Sequence, residues 1–156
     1  MSQFTTDDNT LISPNTPLRQ MPQWQDRAQL LQNVGTIAKQ ILDPIAIDKG
    51  YYPVKEMGEL AKLGAFAAHL SSQGSSFDTA IASTAKIAQV CGTTGFLSWC
   101  HQVMGFYLDQ SENNWLKDHI LPNHALGNSF GGTALSNPMK TWANIESMIL
   151  RGKKVE

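Results

Sequence analysis

Gly-Gly-Thr-Ala-Leu-Ser-Asn-Pro, residues 131–138, is the stretch at which a long series of helical patterns changes to β-type sequence. Before it, apolar residues recur at spacings of three and four, which is the period of an amphipathic helix. From His124 onward, small and apolar residues alternate instead. Two strands are predicted there, around Phe130 to Leu135 and around Ile145 to Leu150. The pattern therefore predicts a mainly α chain followed by the first strands of a β-region.

Five helices are predicted ahead of this boundary, over residues 24–43, 53–64, 77–91, 94–108 and 111–120. The first is expected to stop at Asp43, because the residue before a proline avoids the α region. Pro53 suits the first turn of the second helix, where its missing N–H has no partner to lose. The fifth is expected to begin with Ser111 as its cap and to stop before Pro122. Residues 1–23 are polar and contain three prolines, so a flexible arm is expected.

The fourth predicted helix carries no charged side chain between residues 94 and 108. A helix that is apolar on nearly every face has to be covered on every face. Two strands without neighbours also do not make a stable sheet. We therefore expect more chain, or a partner, to bury these elements, and we interpret the sequence as the front part of a longer protein.

The composition narrows the class of protein. The 156 residues carry a formal net charge of -1, with 42% apolar and 16% charged residues. This balance argues against nucleic acid or an anionic membrane as the partner, because such sites need clustered Lys and Arg. No apolar run reaches the roughly 18 residues of a spanning helix, and the N-terminus lacks the order of a signal peptide. A cytoplasmic protein is expected.

The two cysteines, Cys91 and Cys100, form no C-x-x-C pair and have no His at zinc-ligand spacing. Free cysteine usually behaves as a small buried hydrophobic residue. Both are therefore expected to be buried thiols, and no metal site is predicted.

Several short motifs follow one another in a fixed order along the chain. They are Asp48 to Pro53, Leu63-Gly64, Leu121-Pro122 with Gly127, and Ala134-Leu135-Ser136-Asn137-Pro138. In this order they resemble the acyl-CoA dehydrogenase flavoenzyme family, over about residues 24–156. The resemblance implies an N-terminal arm at 1–23, a helical N-terminal domain at 24–123, and the start of a truncated middle β-domain at 124–156.

The resemblance also implies FAD as the cofactor. In the family, a (Met/Leu)-Thr-Glu-Pro motif lies against the flavin. The corresponding cofactor-binding candidates here are Thr133, Leu135 and Ser136. Ser136 keeps the hydroxyl of the family's Thr, whereas Asn137 replaces its Glu. Residues 139–142 replace the family's Gly-x-Gly-Ser-Asp, whose Ser binds the pyrophosphate, so Thr141 or Lys140 would have to approach a phosphate instead.

In the family, the fourth helix and the turn before it line the acyl-chain pocket. The substrate-binding candidates are Phe96, Trp99, Cys100, Val103 and Met104. His101, on the same helix, is expected to be a hydrogen-bonded core residue, and His119 and His124 are expected at the surface. The family's catalytic base is a Glu of the C-terminal helical domain. No catalytic residue is therefore assigned within residues 1–156, and this chain alone is expected to be inactive.

The sequence thus favours the N-terminal fragment of an FAD-dependent oxidoreductase that oxidises acyl-CoA, or a similar small-molecule substrate, at its α,β bond. The resemblance implies a homo-oligomer for the full-length protein and leaves the electron acceptor open. Two alternatives stay open. One is the related flavin monooxygenase branch, and the other is a non-catalytic helical interaction module from a shortened gene.

Overall fold

A computed structural model describes residues 21–22, 26–42 and 50–153. Over these ranges the chain is all-α, with six α-helices and no β-strand. The helices are α1 (Arg27–Lys39), α2 (Val54–Lys62), α3 (Phe77–Val90), α4 (Gly92–Gln110), α5 (Leu121–Ala125) and α6 (Ser136–Trp142). A short 3₁₀ turn, Ser71–Gln73, precedes α3, and a π-helical turn, Leu116–Ile120, precedes α5.

The first four predicted helices are confirmed where the structure describes them. Asp26 caps α1, since its Oδ1 accepts hydrogen bonds from the backbone N–H groups of Ala28 at 2.7 Å and Gln29 at 3.4 Å. The predicted start at Trp24 and the stop at Asp43 lie outside the described residues. Pro53 is the N-cap of α2, one position before the first turn in which it was predicted.

The prediction for the fifth helix is wrong at both ends. Ser111 and Asn113 form local turns instead, and the chain becomes helical only from Asn114. The helix then widens into the π-turn, whose last bond runs from the N–H of Leu121 to the carbonyl of Leu116. Pro122 does not stop the chain, which continues from the π-turn directly into α5 with Pro122 near its start.

The core is formed where α1 packs on α2, α3 and the turn after α2. Its buried residues are Leu30, Val34, Ala38, Met57, Leu60, Ala61, Ala65, Phe66 and Ile87. A second apolar cluster joins that turn to the end of α4 and to α5. Its buried residues are Ala67, Leu70, Leu108, Leu121 and Ala125.

Helix α4 buries a face of small and polar residues and leaves its aromatic residues outside. Its buried residues are Thr94, Gly95, Ser98, His101, Gln102, Gly105, Leu108 and Asp109. Gln102 is central to this face, because its side chain bonds both Thr84 of α3 and the carbonyl of Ala65. Phe96, by contrast, is 61% exposed, and Trp99 and Tyr107 are also exposed. The described residues therefore leave one face of α4 uncovered, which is the situation that its lack of charge predicted.

Neither predicted strand forms in the described residues. Residues 130–135 run without a pairing neighbour, and so does 147–150, whereas the Ser-Asn-Pro stretch opens α6. Pro138 lies in the first turn of that helix, which tolerates proline. A strand needs a neighbouring backbone for its hydrogen bonds, so alternation alone did not determine the structure here.

The side-chain amide of Asn137 holds the segment after α6 through hydrogen bonds from both its nitrogen and its oxygen. Its Nδ2 donates to Oε1 of Glu146 at 2.9 Å and to the carbonyl of Ser147 at 3.1 Å. Its Oδ1 accepts from the N–H groups of Ile149 at 3.0 Å and Leu150 at 3.3 Å. Two donors and two acceptor sites are all that an amide side chain offers. Asn137 thus has a structural role that a carboxylate could not fill.

Replacing Asn137 by alanine is expected to free residues 146–150 from α6. Each lost neutral hydrogen bond is worth about 0.5–1.5 kcal/mol, so the amides of Ile149 and Leu150 should exchange on the order of tenfold faster. Amide hydrogen exchange followed by NMR would measure this. Asn137→Asp keeps the acceptor but sets a carboxylate against Glu146, so it should also loosen the segment. Asn128→Ala, at an exposed asparagine, is the matched control; equal exchange in all three variants would contradict the prediction.

Candidate functional site

An open cavity of about 340 Å³ lies between α4, the region around the start of α2, and the segment that follows α5. It is lined by Tyr52, Met57, Leu97, Cys100, His101, Phe130, Gly131, Gly132 and Thr133. None of these side chains carries a Lys, Arg, Asp or Glu charge. The volume is at the lower end of the range typical for small-molecule sites, about 300–1,000 Å³. The cavity is therefore suited to an uncharged, largely apolar group.

Helical spacing and close backbone packing shape this cavity. Leu97, Cys100 and His101 stand at i, i+3 and i+4 on α4 and share one face of it. Gly127 turns the chain with a φ of 70°, and a Cβ placed there would lie 2.6 Å from Cβ of Ala61. The chain leaving α5 thus passes directly over α2 and returns along α4 as residues 130–133.

The structure brings together one predicted substrate residue and one predicted cofactor residue. Cys100 and Thr133 line the same cavity. Met104 borders the same segment, because a Cβ on Gly131 would lie 3.0 Å from Cγ of Met104. Leu135 and Ser136 are not among the lining residues; they stand at the start of α6, half-buried and exposed respectively.

Two other predicted substrate residues face a different depression. Trp99 and Val103 border an apolar groove of about 160 Å³ between α3 and α4. Its full lining is His69, Phe77, Ala80, Ile81, Trp99, Gln102, Val103 and Phe106. Phe96 lies on the exposed surface beside Trp99, with ring centroids 5.7 Å apart. The five candidates of α4 are therefore divided between two faces of the helix.

A cluster of three histidines behind the cavity was missed by sequence reasoning. His101 of α4 and His124 of α5 stack with ring centroids 3.7 Å apart. Nε2 of His101 lies 3.0 Å from the carbonyl oxygen of His124, and Nε2 of His124 lies 2.8 Å from that of His101. Nε2 of His69 lies 2.8 Å from the carbonyl oxygen of Gln102. His124 was expected at the surface, and this is wrong because it is buried. His101 was expected to be a hydrogen-bonded core residue, and this is confirmed.

Burial sets the charge state of this cluster. It lowers the pKa of His101 to about 3, with the neighbouring His124 and His69 acting in the same direction. Burial also lowers the pKa of His124, helped by His69. Burial lowers the pKa of His69 too, although Gln102 and Asp109 oppose that shift. All three imidazoles are therefore neutral at pH 7, and His101 is not poised to act as a general base near neutrality.

The cavity fits part of a flavin better than it fits the whole of FAD. Its uncharged walls and the hydroxyl of Thr133 suit an aromatic ring system with polar edges. Among the described residues, no cation lines it to receive a pyrophosphate. Lys140 lies 3.5 Å from Glu146, and the hydroxyl of Thr141 donates to the carbonyl of Asn137 at 2.9 Å. Both groups named as substitutes for the family's phosphate-binding Ser are thus engaged within α6 and the turn after it.

No helix within the described ranges is long and apolar enough to cross a membrane. Among the same residues, no group of three His, Cys, Asp or Glu side chains is placed to hold a metal ion. Comparisons with protein-family models, with curated proteins and with solved structures found no match for this chain.

Proposed function

We propose that this chain is the N-terminal helical part of an FAD-dependent oxidoreductase of the acyl-CoA dehydrogenase type, acting on an acyl thioester at its α,β bond. One observation supports this most. Cys100, assigned to the substrate, and Thr133, assigned to the flavin, line one cavity although 33 positions separate them in the sequence. A cytoplasmic homo-oligomer belongs to the same proposal.

In this proposal the chain's own residues bind and orient. FAD, when bound, would take up the hydride that leaves the β-carbon. Thr133 would donate a hydrogen bond to the edge of the ring, and the backbone N–H groups of Gly131 and Gly132 could approach it closely. Leu97, Cys100 and Phe130 would exclude water from the reacting carbons, which strengthens each polar contact inside the site. The base that removes the α-proton would come from a C-terminal domain, as the resemblance implies.

The flavin monooxygenase branch remains the related alternative, because the same uncharged cavity also suits an aromatic or sulfur compound. The interaction module is favoured by a different observation. Trp142, Ile145 and Ile149 are each more than 70% exposed, at 73%, 71% and 73%. Apolar surface of this kind is typical of protein contacts. The two classes differ in one measurable property, the response to flavin.

Titration of riboflavin and FAD with the 156-residue chain tests the proposal. Flavin fluorescence should be quenched on binding, and riboflavin should bind about as well as FAD, because none of the described residues that line the cavity is a cation. Gly132→Leu should weaken binding by roughly tenfold or more, which is about 1.4 kcal/mol, since its side chain would fill the cavity. A Cβ at Gly132 meets only Cβ of Cys100, at 3.7 Å, so the substitution is not a clash in itself.

Gly152→Leu is the matched control, because a Cβ there meets nothing within 4 Å and the residue is exposed. It should leave flavin binding unchanged. Absence of quenching by the original chain would refute the flavin site and favour the interaction module. Equal weakening by both variants would place the flavin outside this cavity.

A further inference from the structure

The three buried histidines connect the elements that carry the cavity wall. His101 and His124 are 1% and 3% exposed, and each donates to the main-chain carbonyl of the other. His69, 4% exposed, bonds the same helix one residue further on, at Gln102. These contacts cross from α4 to α5 and to the turn after α2. The five-residue helix α5 is thus held to α4 by the reciprocal histidine bonds as well as by its buried Leu121 and Ala125.

The hydrogen bonds fix the tautomer of each ring. A carbonyl oxygen only accepts, so each Nε2 must carry the hydrogen, which leaves Nδ1 as the unprotonated nitrogen of the neutral imidazole. Nδ1 of His69 and Nδ1 of His101 are buried without a hydrogen-bond partner. A proton added there would therefore create a buried, charged and unpaired donor. In the stacked pair it would also lie against a second imidazole ring, with ring centroids 3.7 Å apart.

The surroundings of the cluster offer little to balance a positive charge. Phe66, Phe77 and Phe130 pack on the rings. Asp109, at the end of α4, favours the protonated form of His69. Its carboxylate is already engaged with the N–H and hydroxyl of Ser71, at 3.2 and 2.7 Å. Phe66 also belongs to the main core between α1, α2 and α3, so the cluster borders that core.

We propose that the His69, His101 and His124 cluster is an acid-sensitive lock. At neutral pH it holds α5 and the following residues, 126–133, against α4, and its protonation releases this segment and opens the wall of the cavity. The proposal rests on the histidine cluster and does not require that the cavity bind flavin.

The sign of the pH dependence follows from the lowered pKa of each buried ring. Once the segment is released, histidines of the cluster that reach solvent have pKa values of about 6.5 and bind protons that the closed form cannot. The lock is therefore fully closed above about pH 6.5 and weakens as the pH falls below that value. The opening constant rises up to about tenfold per pH unit for each histidine that becomes protonated on release. When the logarithm of the opening constant is plotted against pH, His101 and His124 together give a slope of up to about two in magnitude. His69 adds up to one more.

Amide hydrogen exchange between pH 7.5 and 4.5, corrected for the intrinsic pH dependence of exchange, tests the lock in the 156-residue chain. Protection of residues 121–133 should fall steeply below pH 6.5, while α1 and α3 stay protected. His101→Gln with His124→Gln places an amide donor near each Nε2 position without a titrating group, so the slope should fall to one or less. His119→Asn, at a half-exposed histidine outside the cluster, is the control and should keep the original slope.

Two results would overturn the proposal. One is a loss of protection in α1 and α3 together with residues 121–133, which is ordinary acid unfolding. The other is an unchanged slope in the double glutamine variant. If that variant does not fold, ¹⁵N NMR of the imidazole rings in the unsubstituted protein decides. His101 and His124 should stay in the neutral Nε2–H form for as long as the segment is protected. Titration of either ring near pH 6.5 in the closed state would contradict the lock.

Discussion

Replacing Phe66 by alanine is expected to lower the free energy of unfolding by about 3–5 kcal/mol, the usual cost of emptying a buried phenylalanine site. Phe66 is 1% exposed, belongs to the main core, and contacts the ring of His101 edge-on at 4.9 Å between centroids. The cavity left behind would therefore weaken the core and the histidine cluster together. Urea denaturation followed by circular dichroism would measure the change through the transition midpoint at constant slope.

Phe96→Ala makes the same chemical change on the exposed face of α4 and is the matched control. Substitutions at exposed positions outside special features usually change stability by about 0.5 kcal/mol or less. A small additional loss is expected from its contact with Trp99. If Phe96→Ala were as destabilising as Phe66→Ala, the burial pattern of α4 described above would be incorrect.

Replacing Gly127 by alanine is expected to destabilise the protein by about 2–5 kcal/mol, from two sources. A left-handed backbone costs a residue with a Cβ about 1–2 kcal/mol, and overpacking a filled site costs about 1–3 kcal/mol more. The φ of Gly127 is 70°. Its added Cβ would lie 2.6 Å from Cβ of Ala61 and 3.3 Å from the backbone Cα of Gly58, so α2 itself would have to move.

Gly74→Ala separates these two contributions. Gly74 has a φ of 88°, but a Cβ there meets nothing within 4 Å. Gly74→Ala should therefore lower the free energy of unfolding only by the cost of the left-handed backbone, about 1–2 kcal/mol. Urea denaturation of both variants gives the difference, which measures how tightly the chain after α5 lies on α2. Equal losses in the two variants would show that this contact is loose.

The sequence was most informative about helices with local signals. Two such signals are Pro53, directly before α2, and the uncharged run of α4. Each lies within or next to the helix that it indicates. The same holds for the acidic first turn of α3, where Asp78 lies. Periodicity and first-turn chemistry are properties of the segment itself. For these helices, the ends predicted from the sequence therefore lie within about two residues of the ends in the structure.

Properties that depend on distant contacts were less accessible. His124 is buried because its ring lies on His101, 23 positions away, and no local pattern around His124 predicts that contact. Alternation at residues 130–135 suggested a strand, but a strand exists only with a neighbour to pair with. The start of α6 had a readable signal, since Pro138 suits a first helical turn.

In the candidate site, too, the helix could be predicted from the sequence, whereas the contacts between distant residues could not. Trp99 and Cys100 are neighbours in the sequence, and one step along an α-helix turns a side chain by about 100°. Trp99 therefore borders the groove against α3, whereas Cys100 faces the cavity beside Thr133. Sequence reasoning placed both on one functional helix. Which of them shares a cavity with residues 130–133 was determined by how α4 is rotated in the fold.

The π-turn before α5 has a consequence for how this chain tolerates changes in length. The bond from Leu121 to Leu116 encloses one residue more than an α-helical turn does. Deleting one residue inside Leu116–Ile120 would convert the turn to regular α-helix and leave the phase of the flanking residues unchanged. An insertion within α5, before His124, would instead rotate His124 by about 100° away from its partner. Variation in length is therefore easier to accommodate in this turn than in α5 itself.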